Sequence, residues 1–282
     1  MFLITGATGN VGGELATILA GQGHAVRAYV RNPARASHLP EEVELAVGDL
    51  DDAEALRAAC EGVDTVFFMQ AAPSPAQAET LVDAATAAGV THVVVLSSIG
   101  TVLHPMPVIG AAINARDEVL RSSSLEVTYL RPNTLTTNAL WWREAITAGR
   151  PVPDPTGEGL TGPVDPYDIA RVAAAVMTDP THRGHGYILN GPEALSTREQ
   201  VRILADVLGR EIAVADCTPG ELAEASIAAG TPEPQARGLQ DLQELFRAGR
   251  SGVLTDDVRN VTGVAPRTFR RWCELHRDDF GV

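Results

Sequence analysis

Short apolar runs alternate with helix-like stretches through about the first 130 residues of the chain. Six of these runs predict strands, at residues 2–5, 25–30, 43–47, 65–69, 92–96 and 127–130. The fourth and fifth runs are apolar after their first residue, which is typical of parallel strands that are buried on both faces. Between the first two runs, apolar residues recur at the spacing of one helix face, at positions 11, 15, 18 and 19. The pattern predicts an α/β fold built on a doubly wound parallel sheet.

The pattern loosens beyond Pro132. Two helices and two short strands are predicted there, the helices at 169–176 and 201–208 and the strands at 187–189 and 212–215. The Gly- and Pro-rich segment 149–166 is predicted to be a long loop, and 230–238 a second irregular segment. We therefore expect residues 1–132 to form the sheet core. Residues 133–282 are expected to form a smaller α/β subdomain, on the substrate side, packed on that core.

Composition narrows the classes of function. The net charge of −14 makes the protein repel nucleic acids and anionic membranes. No apolar run approaches the roughly 18–20 residues that span a bilayer, and the N-terminus has no signal-peptide pattern. The three cysteines are widely spaced and lie outside any metal-ligand pattern, which predicts reduced thiols. We expect a cytoplasmic monomer or homodimer that binds no nucleic acid, no membrane, no metal and no flavin.

A glycine-rich turn lies between the first predicted strand and the first predicted helix. Its glycines allow a tight turn and a close backbone approach, so the free N–H groups at the helix N-terminus can face a pyrophosphate. The alternative is a glycine-rich turn without a ligand, but the strand–turn–helix context favours the dinucleotide site of a Rossmann sheet. The candidate cofactor-binding residues in this turn are Gly6, Thr8, Gly9, Asn10, Val11 and Gly12.

The end of the second predicted strand indicates which dinucleotide is bound. Sites that prefer NAD usually carry Asp or Glu there, whereas this strand ends at Arg31, with Arg35 close behind and no acid. Arginine matches a 2′-phosphate in both charge and bidentate geometry. We therefore expect NADP(H) to be preferred over NAD(H). The alternative is that both arginines are ordinary surface residues.

Further candidates follow the next three predicted strands. Asp49 and Leu50 come after the third, Gln70 ends the fourth, and Ser97 follows the fifth. Ligands of open α/β sheets lie at the carboxyl ends of the strands. We expect these residues to contact the cofactor, although each could equally belong to loop structure alone.

Eight segments together resemble the NmrA-like family of atypical short-chain dehydrogenases. They cover nearly the whole chain, at residues 6–12, 30–33, 48–50, 95–100, 127–132, 163–170, 189–195 and 266–272. The resemblance implies a Rossmann fold that binds NAD(P)(H). It does not specify a reaction, since the family includes quinone and ketone reductases as well as NADP-sensing regulators that catalyse nothing.

Short-chain dehydrogenases use a Tyr-x-x-x-Lys pair on the helix after the fifth strand, in which the lysine lowers the tyrosine pKa. The paired positions here are Ile113 and Asp117, and all 22 basic residues of the chain are arginine. Standard Tyr/Lys catalysis is therefore excluded. Ser98 matches the family's catalytic serine, and His104 and Asn133 are further candidate hydrogen-bond donors in catalysis. His104 could also be an ordinary loop histidine.

The segment 133–142 follows the last core strand and is expected to pass over the nicotinamide. Its two adjacent tryptophans would point about 100° apart on a helix, so only one of them is expected to face a pocket. Packing explains the other tryptophan, or both. The candidate substrate-binding residues, which indicate an apolar or aromatic small molecule, are Met106, Thr134, Asn138, Trp141 and Trp142.

Three hypotheses for function follow. The first is an NADPH-dependent reductase of a small apolar carbonyl, quinone or imine-type substrate. The second, based on the missing Tyr/Lys pair, is a non-catalytic NADP(H)-sensing regulator that binds a protein partner. The third is a non-redox enzyme, a cyclase or lyase, that reuses the Rossmann pocket.

Overall fold

Nine strands form the sheets in the computed structural model, which describes residues 1–71 and 73–281. They are β1 (Phe2–Thr5), β2 (Val26–Val30), β3 (Glu44–Val47), β4 (Thr65–Phe68), β5 (His92–Leu96), β6 (Glu126–Pro132), β7 (Val152–Asp154), β8 (Gly186–Leu189) and β9 (Val214–Asp216). Seven of them form one parallel sheet in the order β3-β2-β1-β4-β5-β6-β8. The other two, β7 and β9, form a separate parallel pair.

Eleven α-helices connect and cover these strands in the described part of the chain. They are α1 (Asn10–Gly21), α2 (Ala53–Cys60), α3 (Pro75–Ala88), α4 (Val108–Arg121), α5 (Arg143–Thr147), α6 (Pro166–Thr178), α7 (Thr197–Leu208), α8 (Pro219–Ala228), α9 (Glu233–Arg247), α10 (Asp257–Thr262) and α11 (Phe269–Leu275). Short 3₁₀ helices lie at Pro33–Ala36, Ile99–Thr101, Thr136–Trp142, Pro180–His182 and Arg277–Phe280.

Helices cover both faces of the main sheet because side chains alternate along each strand. In β5, Val93 and Val95 pack against α2, α3 and α4, whereas Val94 points into the cluster formed with α1 and α6. All three valines are fully buried. The doubly wound parallel sheet that the apolar runs predict is thus confirmed.

The strand order reverses beside β1, which determines where a ligand can bind. β1 pairs with β2 on one side and with β4 on the other, so the chain winds away from β1 in both directions. Open α/β sheets bind ligands at such a switch point, outside the carboxyl ends of the strands. The ends of β1, β4 and β5 therefore define the edge at which a functional site is expected.

Two segments differ from their predicted irregular structure. Residues 149–166 contain β7, whose Val152 is paired with Val214 of β9. A three-residue strand has no readable period, and its partner lies far away in the chain. In 230–238 the helix α9 begins at Glu233, because the prolines there flank or occupy the first helical turn, where the missing N–H costs nothing.

The second half of the chain contributes both to the main sheet and to its own core. β8 extends the sheet by pairing with β6, with Leu130 opposite Tyr187. A separate apolar cluster joins Val152, Leu204 and Trp272 from β7, α7 and α11. The last residue of the expected subdomain, Val282, lies outside the described residues. Among those described, no helix is long and apolar enough to cross a membrane.

Candidate functional site

The glycine turn between β1 and α1 requires glycine at its ends. Gly6 adopts a φ of +67°, a conformation that side-chain-bearing residues rarely adopt. A Cβ atom at Gly12 would lie 2.4 Å from the carbonyl oxygen of Gly6, so the first turn of α1 packs directly on the backbone of the turn. The Gly9 N–H donates to the same carbonyl at 2.9 Å, which closes the turn.

The N-terminus of α1 is open toward the carboxyl edge of the sheet. Its cap residue, Gly9, provides no side-chain cap, and its first turn contains no acidic residue. First-turn N–H groups have no acceptor within their own helix and carry the positive end of the helix dipole. Asn10 is exposed and Thr8 half-buried beside them, whereas Val11 is buried under the helix. This arrangement fits a diphosphate group.

Thr5 ties the two strands at the switch point together. Its Oγ1 accepts a hydrogen bond from the Met69 N–H at 2.8 Å and donates to the Met69 carbonyl at 2.9 Å. The end of β4 is thereby held against the glycine turn, where the Met69 sulfur fills the space beside Gly6. Thr5 is not among the residues predicted for the site; the signal for it in the sequence is a polar residue that ends an otherwise apolar strand directly before Gly6.

Both candidate 2′-phosphate arginines lie just beyond β2 and are exposed. The Arg31 side chain keeps 72% of its surface, and its Nε lies 3.9 Å from Oδ2 of Asp49. Arg35 lies in the 3₁₀ helix Pro33–Ala36, which Asn32 caps by accepting from the Ala34 N–H. Both guanidinium groups are therefore exposed at the sheet edge, and Arg31 has the carboxylate of Asp49 as its neighbour.

Tyr29, at the penultimate position of β2, organises the loop that carries Asp49 and Leu50. Its hydroxyl donates to the Asp49 carbonyl at 2.8 Å and occupies the space that a Cβ at Gly48 would need. Burial, followed by the carboxylates of Asp52 and Asp49, raises the pKa of Tyr29 to about 12. The phenol therefore remains a neutral donor. Leu50 and Asp49 are both half-buried behind it.

Gln70 follows β4 with an unsatisfied acceptor. Its Nε2 donates to the Ser74 carbonyl at 3.1 Å and to Oε1 of Gln77 at 3.0 Å. Its Oε1 is buried and has no hydrogen-bond partner within residues 1–71 and 73–281. A buried acceptor without a partner costs free energy, so this oxygen fits a donor on a bound ligand.

The two serines after β5 have different environments. Ser97 is buried, and its Oγ donates to Oδ2 of the buried Asp117 at 2.5 Å. Ser98 is half-buried and caps the 3₁₀ helix Ile99–Thr101 by accepting from the Gly100 N–H at 3.1 Å. The Ser98 hydroxyl hydrogen remains available to a ligand. Ile113 lies one helical turn before Asp117 on α4 and is half-buried.

Residues after β6 connect the sheet edge to the C-terminal half. Asn133 is buried, with its Nδ2 donating to the Ser251 carbonyl at 3.0 Å and its Oδ1 accepting from the Thr134 N–H at 2.8 Å. The hydroxyl oxygens of Thr134 and Thr136 are buried without a partner among the described residues. They are therefore open to a ligand or to water.

The remaining predicted residues lie in the two segments that follow β5 and β6, residues 99–107 and 133–142, which are called the rim below. His104 is exposed, and its carbonyl accepts from the Arg250 guanidinium at 2.7 Å. Met106 and Trp141 expose 38% and 65% of their surface, whereas Trp142 packs in the cluster with Trp272. Asn138, in the same 3₁₀ helix as both predicted tryptophans, is half-buried.

No group of three or more His, Cys, Asp or Glu side chains that could hold a metal ion occurs in the described ranges.

Of the two aspartates at the start of α6, Asp165 caps the helix by accepting from the Tyr167 N–H at 2.9 Å. Asp168 is fully buried, pairs with Arg171 at 2.9 Å and accepts from the Arg267 N–H. Both carboxylates are thus engaged in contacts within the fold.

Comparison with known proteins places this geometry in a family. Residues 6–180 match the family model described as NAD(P)H-binding. The chain is 35% identical to the (4-alkanoyl-5-oxo-2,5-dihydrofuran-3-yl)methyl phosphate reductase of Streptomyces griseus subsp. griseus, over 99% of each protein. It is 32% identical to the NAD(P)H azoreductase of Xenophilus azovorans, over 100% of each.

A solved structure shares the fold. The NADPH-dependent quinone oxidoreductase of Escherichia coli, solved in complex with NADPH, superposes with a TM-score of 0.87 at 24% identity, over 98% of this chain and 99% of that one. The family match spans more than half of the chain, and two relatives above 30% identity align along its whole length. The chain therefore belongs to the NAD(P)H-binding family, among the NmrA-like atypical short-chain dehydrogenases.

Proposed function

We propose that this protein is an NADPH-dependent reductase of a small apolar carbonyl, quinone or imine-type compound. The observation that carries the proposal is the uncapped N-terminus of α1 at the switch point, next to the unsatisfied acceptor of Gln70. The two full-length relatives are named as reductases of a furanone phosphate and of azo compounds. Both names denote small substrates with conjugated, electron-poor bonds.

Different residues at the sheet edge would bind different parts of the cofactor. The glycine turn and the N-terminus of α1 would hold the diphosphate, while Arg31 and Arg35 would hold a 2′-phosphate. Preference for NADP(H) over NAD(H) follows from these two exposed cations and from the absence of an acid at the end of β2. Bound NADPH supplies two electrons and a proton as a hydride equivalent.

Ser98 is the donor that we assign to the substrate. Its hydroxyl accepts from the Gly100 N–H, which leaves its own hydrogen free to stabilise negative charge on a substrate oxygen or nitrogen. No lysine-activated tyrosine supports it, so acceptors that need little protonation, such as quinones, are favoured. Asn133 has both ends of its amide engaged and positions the chain after β6. His104 stays a candidate donor at the rim.

The substrate would lie between this serine and the rim residues. Met106 and Trp141 are among the large apolar side chains exposed there. The hydroxyl of Thr134, which has no partner among the described residues, gives one polar contact. An exposed apolar surface beside a few polar groups is typical of a small-molecule site. Asn138 and Trp142 lie half-buried in the same 3₁₀ helix as Trp141, and Trp142 packs on the apolar cluster around Trp272.

The test is NADPH consumption with a panel of a quinone, an activated ketone, an imine and an azo compound. We expect turnover of at least one class, and Ser98→Ala to lower kcat on the ketone or imine by about 10²-fold with an unchanged KM for NADPH. Ser124→Ala, an exposed serine after α4, is the matched control. Tight NADPH binding without turnover of any class would contradict a reductase and favour the sensing regulator.

A further inference from the structure

A buried ion pair lies directly behind the carboxyl end of β5. Arg116 and Asp117, on α4, expose only 3% and 1% of their surface. Asp117 Oδ1 accepts from Nε and Nη2 of Arg116, at 2.9 and 2.5 Å, and Oδ2 accepts from Ser97 Oγ at 2.5 Å. Arg116 also donates to the Leu96 carbonyl at 3.2 Å. Two groups at the end of β5 are thus bonded to one ion pair.

The positions of the hydrogens in this cluster determine whether Ser97 donates or accepts a hydrogen bond. A carboxylate that is paired with an arginine has no hydrogen to donate, so the hydrogen in the short Ser97–Asp117 contact belongs to the serine. The Ser97 hydroxyl has one hydrogen and two lone pairs. Its hydrogen is committed to Asp117, and its lone pairs remain. Ser97 can therefore only accept a hydrogen bond from a ligand at this edge.

A second contact holds α4 against the same strand end. A Cβ atom at Gly110 would lie 2.3 Å from the carbonyl oxygen of Gly100, so the start of α4 packs on the 3₁₀ helix that follows Ser98. The helix is thus attached at Gly110 and again two turns later at Asp117. Both attachments are to the segment that follows β5, at Gly100 and at Ser97.

We propose that Asp117 is a positioning residue that makes Ser97 an obligate acceptor for the nicotinamide riboside half of the cofactor. The ligand donor would be a ribose hydroxyl or the carboxamide N–H, the two donor types of that half. Asp117 stands at the position that corresponds to the lysine of the Tyr-x-x-x-Lys pair in short-chain dehydrogenases. It would act on the riboside through Ser97. The inference rests on the proposed cofactor site, and Ser97, with 6% exposure, is its point of contact.

Two variants separate this role from a structural one. Ser97→Ala removes the acceptor and keeps the ion pair, so it is expected to fold. Asp117→Asn is nearly isosteric, and its amide NH₂ would face Ser97, because Arg116 requires the remaining oxygen. The serine would then accept from the amide with one lone pair, and its freed hydrogen would compete with its second lone pair for the position that faces the ligand donor. The variant also leaves a buried arginine without its charge partner, which lowers stability.

The experiment is titration with two ligands, NADP⁺ and 2′,5′-ADP, which lacks the nicotinamide riboside. We expect Ser97→Ala to weaken NADP⁺ binding by about tenfold, the effect of one hydrogen bond, and Asp117→Asn to weaken it by up to that factor. Both variants should leave the Kd of 2′,5′-ADP unchanged. The double variant should bind NADP⁺ no more weakly than Ser97→Ala, because Asp117 acts only through Ser97. Asp154→Asn, at another fully buried aspartate paired with an arginine, should lower the Tm without changing either Kd.

The acetylpyridine analogue of NADP⁺, which lacks the carboxamide N–H, identifies the donor. If Ser97→Ala weakens the analogue as much as it weakens NADP⁺, the donor is a ribose hydroxyl; if the analogue is insensitive, it is the carboxamide. Wild-type affinity for NADP⁺ in Ser97→Ala, or a parallel loss of 2′,5′-ADP, would overturn the proposal and leave the pair a fold contact. A wild-type protein that binds neither ligand would overturn the proposed function itself.

Discussion

Gly12 lies where the first turn of α1 passes over the turn that follows β1. An ideal Cβ atom at this position would lie 2.4 Å from the carbonyl oxygen of Gly6 and 2.8 Å from its carbonyl carbon. Both are backbone atoms, so no side-chain rotation can relieve the contact in a Gly12→Ala variant. The helix and the turn must separate by at least about 0.6 Å to reach 3.0 Å, below which real Cβ contacts are essentially never found.

This separation is expected to lower the stability of the protein and to weaken its binding of NADPH. Overpacking of a buried site costs about 1–3 kcal/mol, and each kcal/mol lowers the Tm of a chain of this size by about 2–4 °C. The same shift moves the N–H groups of the α1 N-terminus away from a diphosphate. Loss of one charge-assisted hydrogen bond, about 1.5–3 kcal/mol, raises the Kd for NADPH by about 10–100-fold.

Gly21→Ala provides the control in the same helix. Gly21 is exposed, and no atom lies within 4 Å of the position of its Cβ, so alanine fits there. The exchange is expected to leave NADPH affinity unchanged and to stabilise the protein by up to about 1 kcal/mol. Thermal unfolding and NADPH fluorescence titration of both variants measure the two effects. An unchanged Kd in Gly12→Ala would refute the assignment of this turn to the diphosphate.

Three further results are expected. Arg31→Ala should raise the Kd for NADPH by about tenfold and leave that for NADH unchanged, with the exposed Arg57→Ala as control; calorimetry would contradict this if both cofactors weakened alike. Burial, then the nearby Arg183, lowers the pKa of His92 from 6.5 to about 4, so the unfolded state binds the extra proton first, and stability falls as pH drops from 6.5 toward 4. Urea unfolding of the wild type should show a free energy of unfolding that is about 2 kcal/mol lower at pH 5 than at neutral pH. His92→Gln should not show this decrease, and an equal pH dependence of stability in both proteins would contradict the role of His92. Burial raises the pKa of Cys60 to about 11 and that of Cys273 to about 12, so a thiol reagent should label them only in urea, and rapid native labelling would contradict their placement.

The main sheet was readable from the sequence because its strands are short, mainly apolar runs, and the central β4 and β5 are apolar after their first residue. Predicted strands 2–5 and 92–96 coincide with β1 and β5, and the other four differ from the observed strands by one or two residues at their ends. Such runs have few alternatives once both faces must be buried. β7 and α9 were missed for local reasons, since one has three residues and the other begins among prolines.

The candidate site was readable only where a residue type is tied to a backbone requirement. Gly6 and Gly12 qualify, because a positive φ and a close backbone approach exclude other residues. The hydrogen bond between Asp117 and Ser97 could not be predicted in this way. The two residues are 20 positions apart, and nothing in the sequence pattern indicates that their side chains meet. The same holds for Asn133 and Ser251.

The sequence by itself determined that helices cover both faces of a parallel sheet and that a glycine-rich dinucleotide turn follows the first strand, because both depend on local patterns of residues. Its composition alone excluded catalysis by a lysine. Only the tertiary structure decided which groups at the sheet edge are engaged and which are open. Within residues 1–71 and 73–281, it leaves the Oε1 atom of Gln70 without a partner, and it commits the hydrogen of Ser97 to a carboxylate. Hydrogen-bond polarity belongs to pairs of atoms brought together by folding, and it is absent from the order of residues along the chain.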